Sequence, residues 1–250
     1  DLFMWIIGPS TLVYLAWEMR QFTAAENKKL GAALIFILFS VLFWAFFEQS
    51  GGSLSLFALN NITPTFGGLS LDPNVSNNSA NSLFIILFSP ILGFIWVALA
   101  KRKVEPNSVV KFGLAFLLLA FAFYVFYATV FVANPETGMT SQEVFVLGYF
   151  IITFGELFLS PIGLSLMTKL SPTRIQGLMM GMWFLASAYG QYVAGLLGSG
   201  MAQVGENVTN LERLTGYTDG YLYLAQIAAV GGVVLLVISP LVRKLMGSVR

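Results

Sequence analysis

Gly148-Tyr149-Phe150-Ile151-Ile152-Thr153-Phe154-Gly155-Glu156-Leu157-Phe158-Leu159-Ser160-Pro161 is the stretch whose reading decides the fold. It lies within an apolar run, Val144 to Thr168, long enough to cross a bilayer, with one carboxylate near its middle. An ionised carboxylate in hydrocarbon costs at least a few kcal/mol, so such an acid normally faces a cavity or a partner. Steps of three or four residues from Glu156 collect Tyr149, Thr153, Ser160 and Gly163 on one helix face, while Phe, Leu and Ile fill the other. Gly155 and Pro161 are expected to loosen the helix around the acid.

The rest of the chain has the same character. It is 57% hydrophobic and 10% charged, against roughly 25% charged for a soluble domain. With 23 Phe and a mean hydropathy of +0.79, composition points to an all-α membrane protein. Cys and His are both absent, which removes disulfides, thiolate metal sites and the side chain that titrates most easily near neutral pH. Proton handling inside the membrane then falls to carboxylates. The chain opens with Asp1 inside an apolar stretch, which reads as part of a longer protein.

Seven spans are expected. The first is Leu2 to Trp17, interrupted by Gly8-Pro9-Ser10 and long enough only if it reaches about Arg20. The second starts at Leu30, reaches Glu48 and continues to about Leu59. Asn60 to Ala80 is rich in Asn, Ser, Gly and Pro and reads as a loop. The remaining spans are Asn81–Ala100, Val110–Val132, Val144–Thr168, Leu178–Ser199 and Tyr221–Val242, with Gln203 to Gly220 as a polar connection. Twelve of the thirteen Lys and Arg fall in alternate connections or the tail, and only Arg213 lies on the other side. By the positive-inside rule Asp1 is outside and Arg250 cytoplasmic. Sequons at Asn61, Asn74, Asn77 and Asn207 fall in outward loops, where Asn and Ser are common anyway.

Only Glu48 and Glu156 are acids within spans, and no Lys or Arg lies in a span's interior, Lys111 standing at the very start of one. Each Glu has a plain alternative as a packing or interfacial residue. Glu48 follows Trp44 by one turn, with Ser40, Gly51, Gly52 and Ser55 on its side. Burial disfavours the charged carboxylate and a nearby cation favours it, so a cation that comes and goes would switch protonation. Trp44 and Trp183 sit in mid-span, away from the interfacial belt where Trp is usual. Trp183 shares a face with Ser187, Gly190, Gln191 and Ala194. Gly177-x-x-x-Gly181 and Gly195-Leu-Leu-Gly198-Ser-Gly200 read as close helix packing.

Four separated motifs then occur in order: Phe43-Trp-Ala-Phe-Phe-Glu-Gln-Ser-Gly-Gly-Ser-Leu-Ser-Leu-Phe57, Asn81-Ser-Leu-Phe-Ile-Ile, Gly155-Glu-Leu-Phe-Leu-Ser-Pro-Ile-Gly-Leu-Ser165 and Gly177-Leu-Met-Met-Gly-Met-Trp-Phe-Leu185. Together they resemble the proton-dependent oligopeptide transporter family of the major facilitator superfamily, over roughly residues 28 to 200. The resemblance implies an extra linker helix with its cytoplasmic connection (1–27), followed by the C-terminal six-helix bundle (28–250). It implies that Glu48 pairs with an arginine of an N-terminal half and takes part in gating and proton coupling. Glu156 resembles the acid that receives a peptide's amino terminus, with Asn81 as neighbouring acceptor and Ser160 one turn away. Trp44, Trp183 and Phe184 resemble the aromatic wall of a side-chain pocket. The implied partners are the N-terminal six-helix half, di- and tripeptides and the lipid bilayer, with no nucleic acid. The implied coupling ion is the proton, with no cofactor or metal, in the plasma membrane (the inner membrane of a bacterium). Ser82 departs from the family pattern, where Pro often follows the Asn.

Other readings are weaker. A retinal protein needs a mid-span Lys, and none exists. A membrane enzyme would have to be built from two acids without His or Cys. A same-fold carrier of nitrate, a drug or another metabolite is the main alternative, and two acids in the site disfavour an anion.

Overall fold

A computed structural model describes residues 2–202 and 208–249. Asp1, Arg250 and the sequon at Asn207 lie outside them. The chain is built from α1 (Leu2–Glu18), α2 (Ala24–Phe47), α3 (Ser53–Asn61), a hairpin of β1 (Thr65–Phe66) and β2 (Leu69–Ser70), α4 (Pro73–Lys101), α5 (Ser108–Ala128), α6 (Gln142–Leu170), α7 (Gln176–Met201) and α8 (Asn210–Met246). Helix therefore occurs at all seven expected positions. Six runs are long and apolar enough to cross a membrane: 2–21, 24–61, 73–101, 108–132, 142–170 and 210–246. The helix α7 is 26 residues long but too diluted by Gly, Ser, Tyr and Gln to join them on composition.

Three helix starts expected from hydropathy move, and caps explain each: α2 begins at Ala24 rather than Leu30, because Thr23 and Glu26 form a reciprocal capping box. The segment 60–80 is not all loop. Asp72 accepts from the Asn74 amide, Pro73 occupies the first helical turn, and α4 begins eight residues before Asn81. Likewise α8 begins at Asn210 rather than Tyr221, because Thr209 and Glu212 form a reciprocal capping box. A hydropathy window does not register such polar turns. Three sequons expected in loops are helical instead: Asn61 ends α3, and the early start of α4 takes in Asn74 and Asn77. Asn61 and Asn77 are buried within α3 and α4, their amides donating to Gly138 and Asn210 and to Ser50 carbonyls respectively.

The core lies between α5 and its neighbours α6 and α8, and between α2 and α7. Fully buried Phe36, Phe112, Phe116, Phe123, Phe126 and Phe145 fill it, with edge-on pairs such as Phe36–Phe112 at 4.7 Å between centroids. By contrast α4 packs mainly on α6, through Phe84–Phe150, Phe88–Phe154 and Trp96–Phe158, and leaves most of its surface open.

Helix α1 is an outlying element held by specific contacts. The Tyr189 hydroxyl enters its ladder, receiving the Gly8 N–H at 3.1 Å and donating to the Met4 carbonyl. A Cβ at Gly8 would overlap that ring. At its far end Glu18, 1% exposed, pairs with Arg174 at 3.4 Å and accepts from the Tyr14 hydroxyl at 3.2 Å. In the sequence Glu18 falls in a polar connection, since its partner lies 156 residues away.

Candidate functional site

The second span does not pass straight through Glu48. Helix α2 ends at Phe47, a 3-10 turn covers Glu48–Gly51, and α3 restarts at Ser53. Gly51-Gly52 allows the interruption, and Gln49 holds it. Completely buried, Gln49 donates to the carbonyls of Ala45 (3.2 Å) and Ala194 (3.1 Å) and accepts from the Ser53 hydroxyl (2.7 Å). The amide thus ties both sides of the break to α7 and satisfies backbone groups that a broken helix leaves open.

Around this break a recess of about 210 Å³ is lined by Phe47, Glu48, Ser50, Asn77, Asn81 and Tyr149, among others. Asn77 spans its wall: the amide donates to Ser50 O at 3.0 Å, and its carbonyl oxygen accepts from the Tyr149 hydroxyl at 2.5 Å. One turn along α4, Asn81 donates to Glu156 Oε2 at 3.0 Å and to Thr153 Oγ1 at 3.1 Å. Thr153 in turn donates to the Tyr149 carbonyl at 2.7 Å. The polar face expected on α6 is therefore real, but its upper half is a buried hydrogen-bond chain. Glu156 and Asn81 are its half-buried members, while Asn77, Tyr149 and Thr153 are buried.

Across the recess, Gln191 of α7 donates to Glu48 Oε1 at 3.2 Å. Neither Glu48 nor Glu156 has an ion pair among the described residues. Both carboxylates thus belong to one face, each held by an amide and each with one oxygen receiving no hydrogen bond from the described residues.

The expected loosening of α6 is not found. The helix runs 29 residues through Gly155 and Pro161 without a break. Gly155 instead lets the α5 backbone approach, since a Cβ there would stand 3.1 Å from the Ala115 carbonyl. At Gly163 a Cβ would overlap the Trp183 ring, so this glycine seats α7 against α6.

The aromatic residues separate. Trp183 is 4% exposed and packs edge-on against Phe112 at 6.1 Å, inside the bundle. Phe184 is 60% exposed, on the same stripe of α7 as Gln191. Gln191 therefore does not share the face of Trp183, Gly190 and Ala194, which are all buried. Trp44 is half-buried beside the break, 5.2 Å from Phe47 between ring centroids, and its indole N–H lacks an acceptor among the described residues. Ser160 sits one turn beyond Glu156 with its hydroxyl buried and unpartnered among them. The glycine clusters also divide: Gly190 and Gly198 meet Trp44 and Ser53, whereas Gly177, Gly181 and Gly195 face open space along the Phe184–Gln191 stripe. Gln49 and Asn77 carry no role in the sequence reading, and an Asn77-x-x-x-Asn81 spacing is the one signal for the latter.

Known proteins resemble this arrangement. The chain is 36% identical over 201 residues to the peptide transporter YePEPT of Yersinia enterocolitica, covering 79% of this chain and 39% of that protein. It is 32% identical over 249 residues to a di-/tripeptide transporter of Lactococcus lactis subsp. cremoris, covering 98% of this chain and 47% of the relative. The chain thus spans less than half the length of these relatives. A crystal structure of a peptide transporter POT in complex with sulfate superposes with a TM-score of 0.79 at 30% identity, over 98% of this chain and 48% of that one. A POT family transporter in complex with 5-aminolevulinic acid gives 0.80 at 26% identity, over 96% and 47%. These transporters, like the apolar helices, mark a multi-pass membrane protein and not an enzyme. Residues 7–214 match the profile of the POT family, and the chain belongs to that family.

Proposed function

We propose that this chain is the C-terminal half of a proton-coupled di- and tripeptide symporter that works by alternating access. In this reading 1–27 is a linker helix and 28–250 a six-helix bundle. The seven spans cross the inner membrane of a bacterium, with residue 1 outside and residue 250 in the cytoplasm.

One observation carries it. Asn81 turns both of its donor contacts toward α6, to Glu156 and Thr153, which leaves its carbonyl oxygen as an acceptor beside the carboxylate. A carboxylate and an amide oxygen side by side, on an open face without a cation, suit an ammonium group, as a peptide's amino terminus provides. The names of the relatives, a di-/tripeptide transporter among them, support the same substrate class. So does a family member crystallised with 5-aminolevulinic acid, which carries a primary amine.

The remaining roles follow from chemistry. Glu48, held among the described residues by the neutral Gln191, would pair with an arginine of the N-terminal half, and protonation would release that pair. Alternating exposure then couples to proton influx as the two halves rock about the midplane. Trp44 and Phe184 would form the aromatic wall for a peptide side chain, with Trp183 supporting it from inside the bundle and Ser160 adding a hydroxyl one turn below Glu156. The open stripe through Gly177, Gly181 and Gly195 would admit a helix of the other half.

The test is uptake of labelled dialanine into proteoliposomes holding the full-length protein, with and without an inward proton gradient. Gradient-driven uptake competed by other di- and tripeptides is expected. Loss of a charge-assisted hydrogen bond is worth about 1.5–3 kcal/mol. Glu156→Gln should therefore weaken dialanine recognition about 10–100-fold and abolish the preference over N-acetyl-dialanine. Absence of gradient-driven uptake would move the reading to a same-fold carrier of another solute.

A further inference from the structure

The end of the bundle remote from Asn81 carries a second concave site. A cavity of about 990 Å³ opens between the end of α4, the start of α5 and the later turns of α6 and α8. Lys103, Lys111, Lys169 and Arg243 line it, against the single acid Glu105. That acid is already taken, since Lys111 forms an ion pair with it. Lys103, Lys169 and Arg243 have no ion pair among the described residues. Tertiary folding thus brings an excess of positive charge from four separate stretches to one place, where it favours an anion.

Two further features specify the kind of anion. Part of the lining is apolar, supplied by Ala100, Val110, Pro161, Ile162 and Leu166. From Ala100 an exposed apolar strip continues along α4: Val97, about one turn back, is 52% exposed, and Gly93, a turn further, faces open space. The Lys111 ammonium also lies 4.2 Å from the Trp96 ring centroid, and Trp beside clustered cations is characteristic of headgroup depth.

The backbone adds an independent observation. Helix α4 ends in a Schellman motif, with Val104 N donating to Leu99 O and Lys103 N to Ala100 O. Its left-handed position, φ 60°, is held by Lys103, the one non-glycine residue with positive φ among those described. Glycine would relieve the strain there, so the position keeps a cation at the expense of local stability.

We propose that this cavity binds the phosphodiester headgroup of an anionic phospholipid, with an acyl chain along the exposed Val97–Gly93 strip of α4. Lys103, Lys169 and Arg243 neutralise the phosphate, and the apolar part of the lining with the adjoining strip favours a lipid over a free anion.

Native mass spectrometry of the delipidated full-length protein tests this, by titration with phosphatidylglycerol, phosphatidylcholine or inorganic phosphate. Each cation near a lipid surface is worth about fivefold in binding. Phosphatidylglycerol should therefore bind more tightly than phosphatidylcholine, whose choline offsets its phosphate, and the double variant Lys169→Gln/Arg243→Gln should weaken phosphatidylglycerol about 25-fold and phosphatidylcholine much less. Lys103→Gly should raise the Tm of the lipid-free protein while weakening phosphatidylglycerol about fivefold. A merely structural lysine would not move the two readouts in opposite senses. Equal binding of the two lipids, no phosphatidylglycerol adduct, or a double variant that binds like wild type would overturn the proposal. Inorganic phosphate displacing the lipid at similar concentration would overturn it in favour of a small-anion site.

Discussion

Helix α6 carries Gly155 and Pro161 around Glu156 and still runs 29 residues without interruption, whereas the segment around Glu48 contains no proline and comes apart there. The difference lies in what each meets. The α6 glycines are filled by neighbours, the α5 backbone at Gly155 and the Trp183 ring at Gly163, so close packing supports a continuous helix across them. At Glu48, Gly51 faces open space while Gly52 lies against Gln49 and the Ala194 carbonyl, and a buried glutamine supplies hydrogen bonds on both sides of the break. A break in a membrane helix thus depends on a side chain that satisfies it more than on a residue that permits it.

The comparison is most severely broken on the α6 side. Gly163→Leu drives a side chain into Trp183, and the unfolding free energy in mixed micelles should fall by about 3 kcal/mol. A variant as stable as wild type would mean that α6 and α7 are not packed through this glycine. Next comes the clamp. Gln49→Leu leaves the Ala194 carbonyl and the Ser53 hydroxyl without their partner, a loss of about 2 kcal/mol. Hydrogen exchange at the Gly52 and Ser53 amides should rise in that variant while the α6 amides stay protected, which would show the damage to be local to the break.

Smaller changes sharpen the contrast. Tyr149→Phe removes the donor to Asn77 and should cost about 1 kcal/mol, read by the same unfolding measurement, because Asn77 keeps its bond to Ser50. Pro161→Ala should change stability least. A regained backbone hydrogen bond of about 0.5–1.5 kcal/mol opposes the entropy that a proline removes from the unfolded chain, about 0.4–1 kcal/mol. A shift above about 2 kcal/mol in either sense would show that the proline ring does govern the geometry of α6.

Much of the molecule is legible from its residues alone. Apolar runs near 20 residues long locate helices at all seven positions because hydrocarbon thickness leaves little choice of length. The cost of a charge in hydrocarbon singles out Glu48 and Glu156 among twelve acids. Asn81 and Glu156, named from separate motifs, are bonded at 3.0 Å. Helix starts are less legible, since polar turns at Asp72-Pro73 and Thr209–Glu212 lie outside any hydropathy signal.

What the sequence by itself determined is where the helical runs lie, their approximate extent and the identity of the rare charged groups, all consequences of an apolar solvent acting on each segment separately. What only the tertiary structure decided is which neighbour each face meets. Helical periodicity places Trp183 and Gln191 on one helix, but packing sends the first into the core and the second to Glu48. It likewise turns Gln49 and Asn77 from unremarked polar residues into the supports of the break, and gathers Lys103, Lys169 and Arg243 around one cavity. Such contacts join residues far apart in the chain, and local patterns carry no information about them.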